Sequence, residues 1–203
     1  MRLINKPMKR LSLYLFLIFF ILQTPSQADD IRDFQIEGMS IGDSALDYFT
    51  KEDINSFYKV TYNDEKFYQL ETTSKQKFKD YESIMFHVKK NDKNFTIYSI
   101  GGRKFFPNKE KECKIFKKEV TLGIKSIVKN LKKDDYRFNY KNLADGKSYA
   151  DVSDFFFKDG STIRLWCVNW SKAIEGEKNW VDNMTTAINS KIFYDWISNE
   201  AHQ

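Results

Sequence analysis

Ser40 lies in the string Gly38-Met39-Ser40-Ile41-Gly42, which matches the G-x-S-x-G pattern. In hydrolases that use this pattern, the serine stands on a sharp turn between a strand and a helix, where a general base reaches its hydroxyl. The residues before Ser40 favour a strand and those after it favour a helix, so a serine hydrolase is one hypothesis. The alternative is a simple turn in which glycine relieves backbone strain.

Few residues in this sequence could act as the general base for Ser40. The two histidines are His87, between the apolar residues of a predicted strand, and His202, the penultimate residue. The two cysteines, Cys113 and Cys167, have no spacing from these histidines that resembles a zinc site. We therefore expect no metal and no cofactor, and we place hydrolysis by Ser40 second to a binding function.

The tryptophans are concentrated near the C-terminus, at Trp166, Trp170, Trp180 and Trp196. Flat aromatic rings exposed on a sheet are suited to holding sugars or hydrophobic ligands. Trp166, Trp170 and Trp180 are therefore candidates for a binding surface. Trp166 is favoured because it lies on the face of its strand opposite to the apolar face that carries Cys167. The competing interpretation is that these rings belong to the core.

The N-terminus has the pattern of a secretory signal. It carries a basic region formed by Arg2, Lys6, Lys9 and Arg10. An apolar run follows over 11–22, and small residues stand at Ser26 and Ala28. A run of about twelve residues is too short to span a bilayer, which takes about twenty, so a cleaved signal is favoured over a membrane anchor. We expect a signal peptide at 1–28 and one domain at 29–203, periplasmic or secreted, with no stable membrane span after cleavage.

The charge of the chain depends on this signal. Residues 1–28 contain four cations and no acid, so their removal lowers the formal net charge from +5 to +1. A nearly neutral mature chain lacks the basic excess of proteins that bind polyanions. We expect no nucleic-acid partner.

Periodicity predicts an α+β fold, with a mostly antiparallel sheet and short helices beside one long helix. The segments with strand signals are 33–41, 57–62, 66–71, 81–89, 94–100, 149–157, 161–170 and 180–190. The segments with helix signals are 45–49, a short helix after Thr50, 109–133 and 191–200 after Ser190. No strand and helix alternation supports a parallel nucleotide-binding sheet.

The two cysteines are predicted to form a disulfide. Periodicity puts Cys113 on the buried stripe of the long helix and Cys167 on the apolar face of a strand. The compartment is oxidising and one intramolecular pairing exists, so a helix lying across the sheet would bring the two sulfurs together. The alternative is two inert thiols in the core.

The string of residues 33–49, DFQIEGMSIGDSALDYF, resembles the opening of a group of small exported bacterial proteins of uncharacterised function. The turn at 91–93 and the segments around Cys113 and Cys167 are also similar to that group. The resemblance implies export and no particular activity. Together the residues favour an exported, non-enzymatic binding protein whose partner is an envelope protein or a small ligand, with the Ser40 hydrolase as the alternative.

We predict cleavage after Ala28, because a short apolar run precedes small residues at the two positions that signal peptidase reads. The intact mass of the exported protein should equal that of residues 29–203. A membrane fraction that retains residues 1–28 would make the anchor interpretation correct instead.

Overall fold

The computed structural model describes residues 30–73, 78–129, 131–141, 143 and 146–201. The predicted signal at 1–28 lies outside these residues. Within them, one antiparallel sheet is built from β1 Tyr58–Thr61, β2 Phe67–Thr72, β3 Ser83–Lys89, β4 Ser99–Phe105, β5 Lys132–Asn139, β6 Tyr149–Phe156, β7 Thr162–Asn169 and β8 Asn183–Asn189. The helices are α1 Lys51–Ser56, α2 Glu110–Ile127, α3 Lys172–Lys178 and α4 Lys191–Asn199. The α+β class with a mostly antiparallel sheet is confirmed.

The strand order is β1-β2-β3-β4-β8-β7-β6-β5. Strands β1 to β4 form one meander and β5 to β7 form a second one, and each strand in a meander pairs with its neighbour in the chain. Strand β8, the last in the chain, pairs antiparallel with β4 on one side and with β7 on the other. It therefore joins the two meanders into a single sheet.

The two faces of the sheet differ in what covers them. The back face carries Ile84, Phe86 and Ile188, which pack in the main core with the segment at 30–49 and with α2. The front face carries Met85, His87 and Trp166, because side chains alternate across a strand. Helix α4 covers one end of the front face through Phe193 and Trp196, which pack on Phe67.

Several local signals predicted their elements correctly. The hairpin of β6 and β7 turns at Gly160, whose φ is 86°. Thr50 caps α1 in a capping box with Asp53, and the Ser190 side chain accepts a hydrogen bond from the Phe193 N–H at the start of α4. These signals act over a few residues, so the sequence contains all that they need.

The predicted strand at 94–100 pairs with the strand before it as expected, but its bounds are wrong. Residues 90–98 form a loop, with positive φ angles at Asn91 and Phe95 and an isolated bridge from Thr96 to Ser44, and β4 begins at Ser99. Gly101 and Gly102, which follow the predicted strand, lie inside β4. A Cβ at Gly102 would stand 2.4 Å from Cγ of Tyr81, so the close approach of that ring explains the glycine.

The long helix is shorter than predicted. Helix α2 ends at Ile127, Val128 is already extended, and 132–139 forms the edge strand β5 instead of the end of a helix and a polar connection. Pairing of β5 with β6, from Lys132 opposite Phe156 onward, overrides the local helix signal. Helix α3 was also not predicted, although Ser171 is an N-cap of the usual kind.

The predicted disulfide between the two cysteines is confirmed. A disulfide joins Cys113 of α2 to Cys167 of β7, with the Cα atoms 6.0 Å apart. Both residues are buried in the core of the back face. The bond therefore fixes the long helix to the centre of the sheet.

We expect the double variant Cys113→Ala/Cys167→Ala to lose about 4 kcal/mol of unfolding free energy, because a bond between residues 54 apart restricts the unfolded chain. Urea unfolding of oxidised wild type and variant at one pH measures the loss. Wild type treated with reductant should approach the variant, whereas equal stability of all three samples would contradict the prediction.

Candidate functional site

Ser40 does not stand on a strand-to-helix turn, so the predicted strand at 33–41 is wrong. Ile36 and Met39 exchange backbone hydrogen bonds of 3.0 Å across a tight turn with positive φ at Glu37 and Gly38. The Ser40 side chain is buried, and its Oγ lies 3.2 Å from the carbonyl oxygen of Arg32 and 3.4 Å from that of Phe34. A hydroxyl held by backbone acceptors is not presented to a substrate.

The described residues bring no histidine to Ser40. Ser40 belongs to the segment that covers the back face, between Met39 and Ile41 of the main core. His87 points to the front face, where its Nε2 lies 2.9 Å from the hydroxyl oxygen of Tyr62. His202 lies outside the described residues. The sheet itself therefore separates Ser40 from His87.

By contrast, two of the three candidate tryptophans are in direct contact. Trp170 and Trp180 have ring centroids 4.6 Å apart, and the Tyr140 ring lies 4.8 Å from Trp170. Trp166 and Trp170 pack on the same small apolar cluster, which consists of Ala150, Val152 and Val168. We call this surface the aromatic ledge, formed by Phe138, Tyr140, Trp166, Trp170 and Trp180.

The ledge is partly open to solvent. Trp180 is 42% exposed and Phe138 is 51% exposed, whereas Trp166, the ring we favoured from the sequence, is half-buried. The indole N–H groups of Trp166, Trp170 and Trp180 make no hydrogen bond with any described residue. The ledge therefore presents aromatic ring faces and indole N–H donors to a ligand.

Buried polar groups hold the ledge in place. The Asp182 carboxylate accepts a 2.7 Å hydrogen bond from the backbone N–H of Trp170, and burial raises the pKa of Asp182. The Ser148 hydroxyl accepts a hydrogen bond from the backbone N–H of Ser171, which in turn caps α3. The C-cap of α3 is Asn179, whose backbone lies in the left-handed region just before Trp180. The two tryptophans are thus positioned by backbone contacts at each end of α3.

A groove runs across the centre of the front face beside the ledge. Met85, Gly101, Ala187 and Arg164 are neighbours across the four central strands. Ala187 makes the floor low because its side chain is a single methyl group, and the Met85 side chain leans over Gly101, with Cγ 3.0 Å from the position that a Cβ there would take. Helix α4 borders one side through Phe193, Tyr194 and Ile197, and Trp166 borders the other. The groove encloses about 210 Å³.

His87 is the most unusual group in the groove. It is buried, burial lowers its pKa to about 3, and the Phe193 ring lies 4.3 Å from the imidazole. Its Nε2 contacts Tyr62, but its Nδ1 has no hydrogen-bond partner among the described residues. Because buried polar atoms are nearly always paired in proteins, this unpaired nitrogen is a sign of a binding function.

The charged residues around the groove are paired within the protein. Arg164 binds the Asp154 carboxylate through two hydrogen bonds of 2.7 and 2.8 Å. Arg103, outside the groove lining, binds Glu71 through Nη1 at 2.6 Å, while its buried Nε has no hydrogen-bond partner among the described residues. Because each guanidinium is paired with a carboxylate, the surroundings of the groove are close to neutral.

The sequence did not predict this groove. The sequence places Gly101 at the end of a hairpin, and His87 between the apolar residues of a strand. The sequence contains one signal for the groove, a pair of glycines inside a run of strand residues, which often marks a close approach of backbone or ligand. That signal does not locate a groove without the strand order, because only the strand order places Ala187 beside Gly101.

A second cleft, between α2 and strands β5 and β6, encloses about 490 Å³ and is rich in lysine. Lys114 pairs with Glu110 and Asp151, and Lys117 donates to the Asp151 carbonyl at 2.8 Å. Lys133 pairs with Asp135. Since these cations already have partners, the cleft fits a solvated helix face better than an anion site.

We expect the unfolding free energy to fall as the pH drops below about 6.5, because of His87. The unfolded imidazole titrates near its ordinary pKa of 6.5, whereas the folded pKa is about 3, so the unfolded chain binds more protons between these values. The slope should reach up to about 1.4 kcal/mol per pH unit. Urea unfolding between about pH 4.5 and 7 measures it.

The control for this prediction is His87→Phe, which keeps the ring shape and removes the titration. Its unfolding free energy should vary less with pH over the same range, since other groups contribute equally to both proteins. Parallel pH curves for the two proteins would show that His87 is not responsible.

The described residues hold no group of three or more acidic, histidine or cysteine side chains that is arranged to bind a metal ion. None of their helices is both long enough and apolar enough to cross a membrane. The chain matches no known protein-family model, no curated protein and no solved structure.

Proposed function

We propose that this chain is an exported, non-enzymatic binding protein that holds carbohydrate on its aromatic ledge. The observation that carries this proposal is the contact between Trp170 and Trp180, which come from the loops on either side of α3, together with Trp166, which packs on the same apolar cluster as Trp170. These rings leave a partly exposed aromatic surface. Contiguous exposed apolar patches mark sites for ligands or partners.

The chemistry of the ledge favours a sugar over a flat aromatic ligand. A sugar ring has an apolar face, which packs on an indole, and hydroxyls, which accept hydrogen bonds from indole N–H groups. The Tyr140 and Trp170 rings are tilted by 41°, and Trp170 and Trp180 by 51°. Tilted rings suit successive units of a twisted oligosaccharide, whereas one extended planar ligand would need rings in a common plane.

Export is supported by the N-terminal signal pattern and by the disulfide between Cys113 and Cys167. Disulfides persist in oxidising compartments and are rare in the cytosol. The competing hydrolase hypothesis requires the Ser40 hydroxyl to leave its backbone acceptors and to meet a base from elsewhere. We therefore favour binding.

We expect Trp180→Ala to weaken oligosaccharide binding by about thirtyfold, since loss of an exposed tryptophan that anchors a ligand costs about 2 kcal/mol. Mature wild-type protein is first screened on an oligosaccharide array. The best oligosaccharide is then titrated into wild type and variant by calorimetry.

The matched control is Tyr58→Ala, which removes another exposed aromatic side chain, 70% exposed, on β1 at the opposite edge of the sheet. It should bind like wild type. Equal binding by wild type and Trp180→Ala, or no binding of any oligosaccharide, would contradict the proposal. A wild-type dimer that Trp180→Ala converts to a monomer would make the ledge an interface between two copies instead.

A further inference from the structure

We propose that the groove on the front face is a second binding site, for a small uncharged ligand with one ring and one hydrogen-bonding group, and that His87 binds this group. This site adjoins the aromatic ledge, with which it shares Trp166, but it does not depend on the ligand of the ledge. It rests on the shape of the groove, its unpaired polar atom and its charge balance.

The shape of the groove limits the ligand to a single ring. Its floor is low at Ala187, whereas the Met85 side chain leans over Gly101, with Cγ 3.0 Å from the position that a Cβ on Gly101 would take. Phe193 and Ile197 of α4 supply apolar walls, and the rest of the lining includes the polar residues Gln69, Ser99 and Asn189. A space of about 210 Å³ is below the range of about 300–1,000 Å³ that holds drug-sized molecules.

The unpaired atom indicates a polar group on the ligand. His87 is 7% exposed, and its Nδ1 has no hydrogen-bond partner among the described residues. The Phe193 ring is tilted by 37° to the imidazole, so it covers a face of the imidazole more than its edge. Nδ1 is itself buried, so a ligand that reached it from the groove would satisfy an atom that the described residues leave unpaired.

The charge balance indicates a neutral ligand. Arg164 and Arg103 are held by Asp154 and Glu71, so an anion would have to compete with a carboxylate already in place. His87 is neutral at physiological pH, because burial holds its pKa far below the usual value. A charged ligand would therefore lose its hydration without gaining a counter-ion.

Three single-ring molecules test the charge rule: benzamide is neutral, benzoate is an anion of almost the same shape, and benzylamine is a cation of similar size. Each is titrated into ¹⁵N-labelled mature protein and followed by amide chemical shifts. Benzamide should shift amides of β4, β8 and α4 and bind at least about tenfold more tightly than the other two. Benzamide that shifts no groove amide, or binds no better than benzoate or benzylamine, would overturn the proposal.

Two variants test the site itself. Ala187→Leu fills the floor and should abolish the benzamide shifts, whereas Leu122→Ala, on an exposed position of α2, should leave them unchanged. His87→Phe keeps the ring and should remove the preference of the groove for benzamide over toluene, which has no polar group. Circular dichroism and thermal unfolding establish that each variant is folded.

The variants also have outcomes that count against the site. Unchanged benzamide binding by folded Ala187→Leu would mean that the ligand lies elsewhere. An equal preference for benzamide over toluene in wild type and His87→Phe would mean that His87 does not bind the polar group.

Discussion

Strand β8 lies between β4 and β7, and both candidate sites depend on that insertion. All seven of its residues are buried, and it pairs with one meander along each edge. Without it, the two meanders would share no hydrogen bonds, and Gly101 and Arg164 would not lie in one row across Ala187. The groove exists because β8 sets the register between strands that are more than fifty residues apart in the chain.

The back face of the sheet carries the core, and the front face carries the candidate sites. The back face of the central strands is apolar, with Ile100, Ile188 and Leu165 fully or almost fully buried under α2 and the segment at 30–49. The front face of the same strands carries polar residues, and Asn189 links Ser99 to Thr162 by hydrogen bonds of 2.8 and 3.1 Å. Burial on the back supplies the stability, so the front is free to keep polar groups that stabilise little.

The disulfide has a consequence for the front face as well. It holds α2 against β7 on the back, directly behind the strand that carries Trp166 and Arg164 on the front. A strand fixed from behind by a covalent bond keeps its front side chains in position without help from a covering element. Arg164 and Asp154 then form a partly buried ion pair, whose loss on one side would leave a desolvated charge.

Local signals within the sequence determined the caps at Thr50 and Ser190, the hairpin at Gly160 and the buried positions of the two cysteines, because capping, turn chemistry and periodicity act over a few residues. The tertiary structure alone decided the rest. Edge strand β5 replaced the end of a predicted helix through pairing with β6, and Gly101 was placed inside β4. The contact between Trp170 and Trp180 and the unpaired Nδ1 of His87 also needed the tertiary structure, since contacts between distant segments depend on register, which no local pattern encodes.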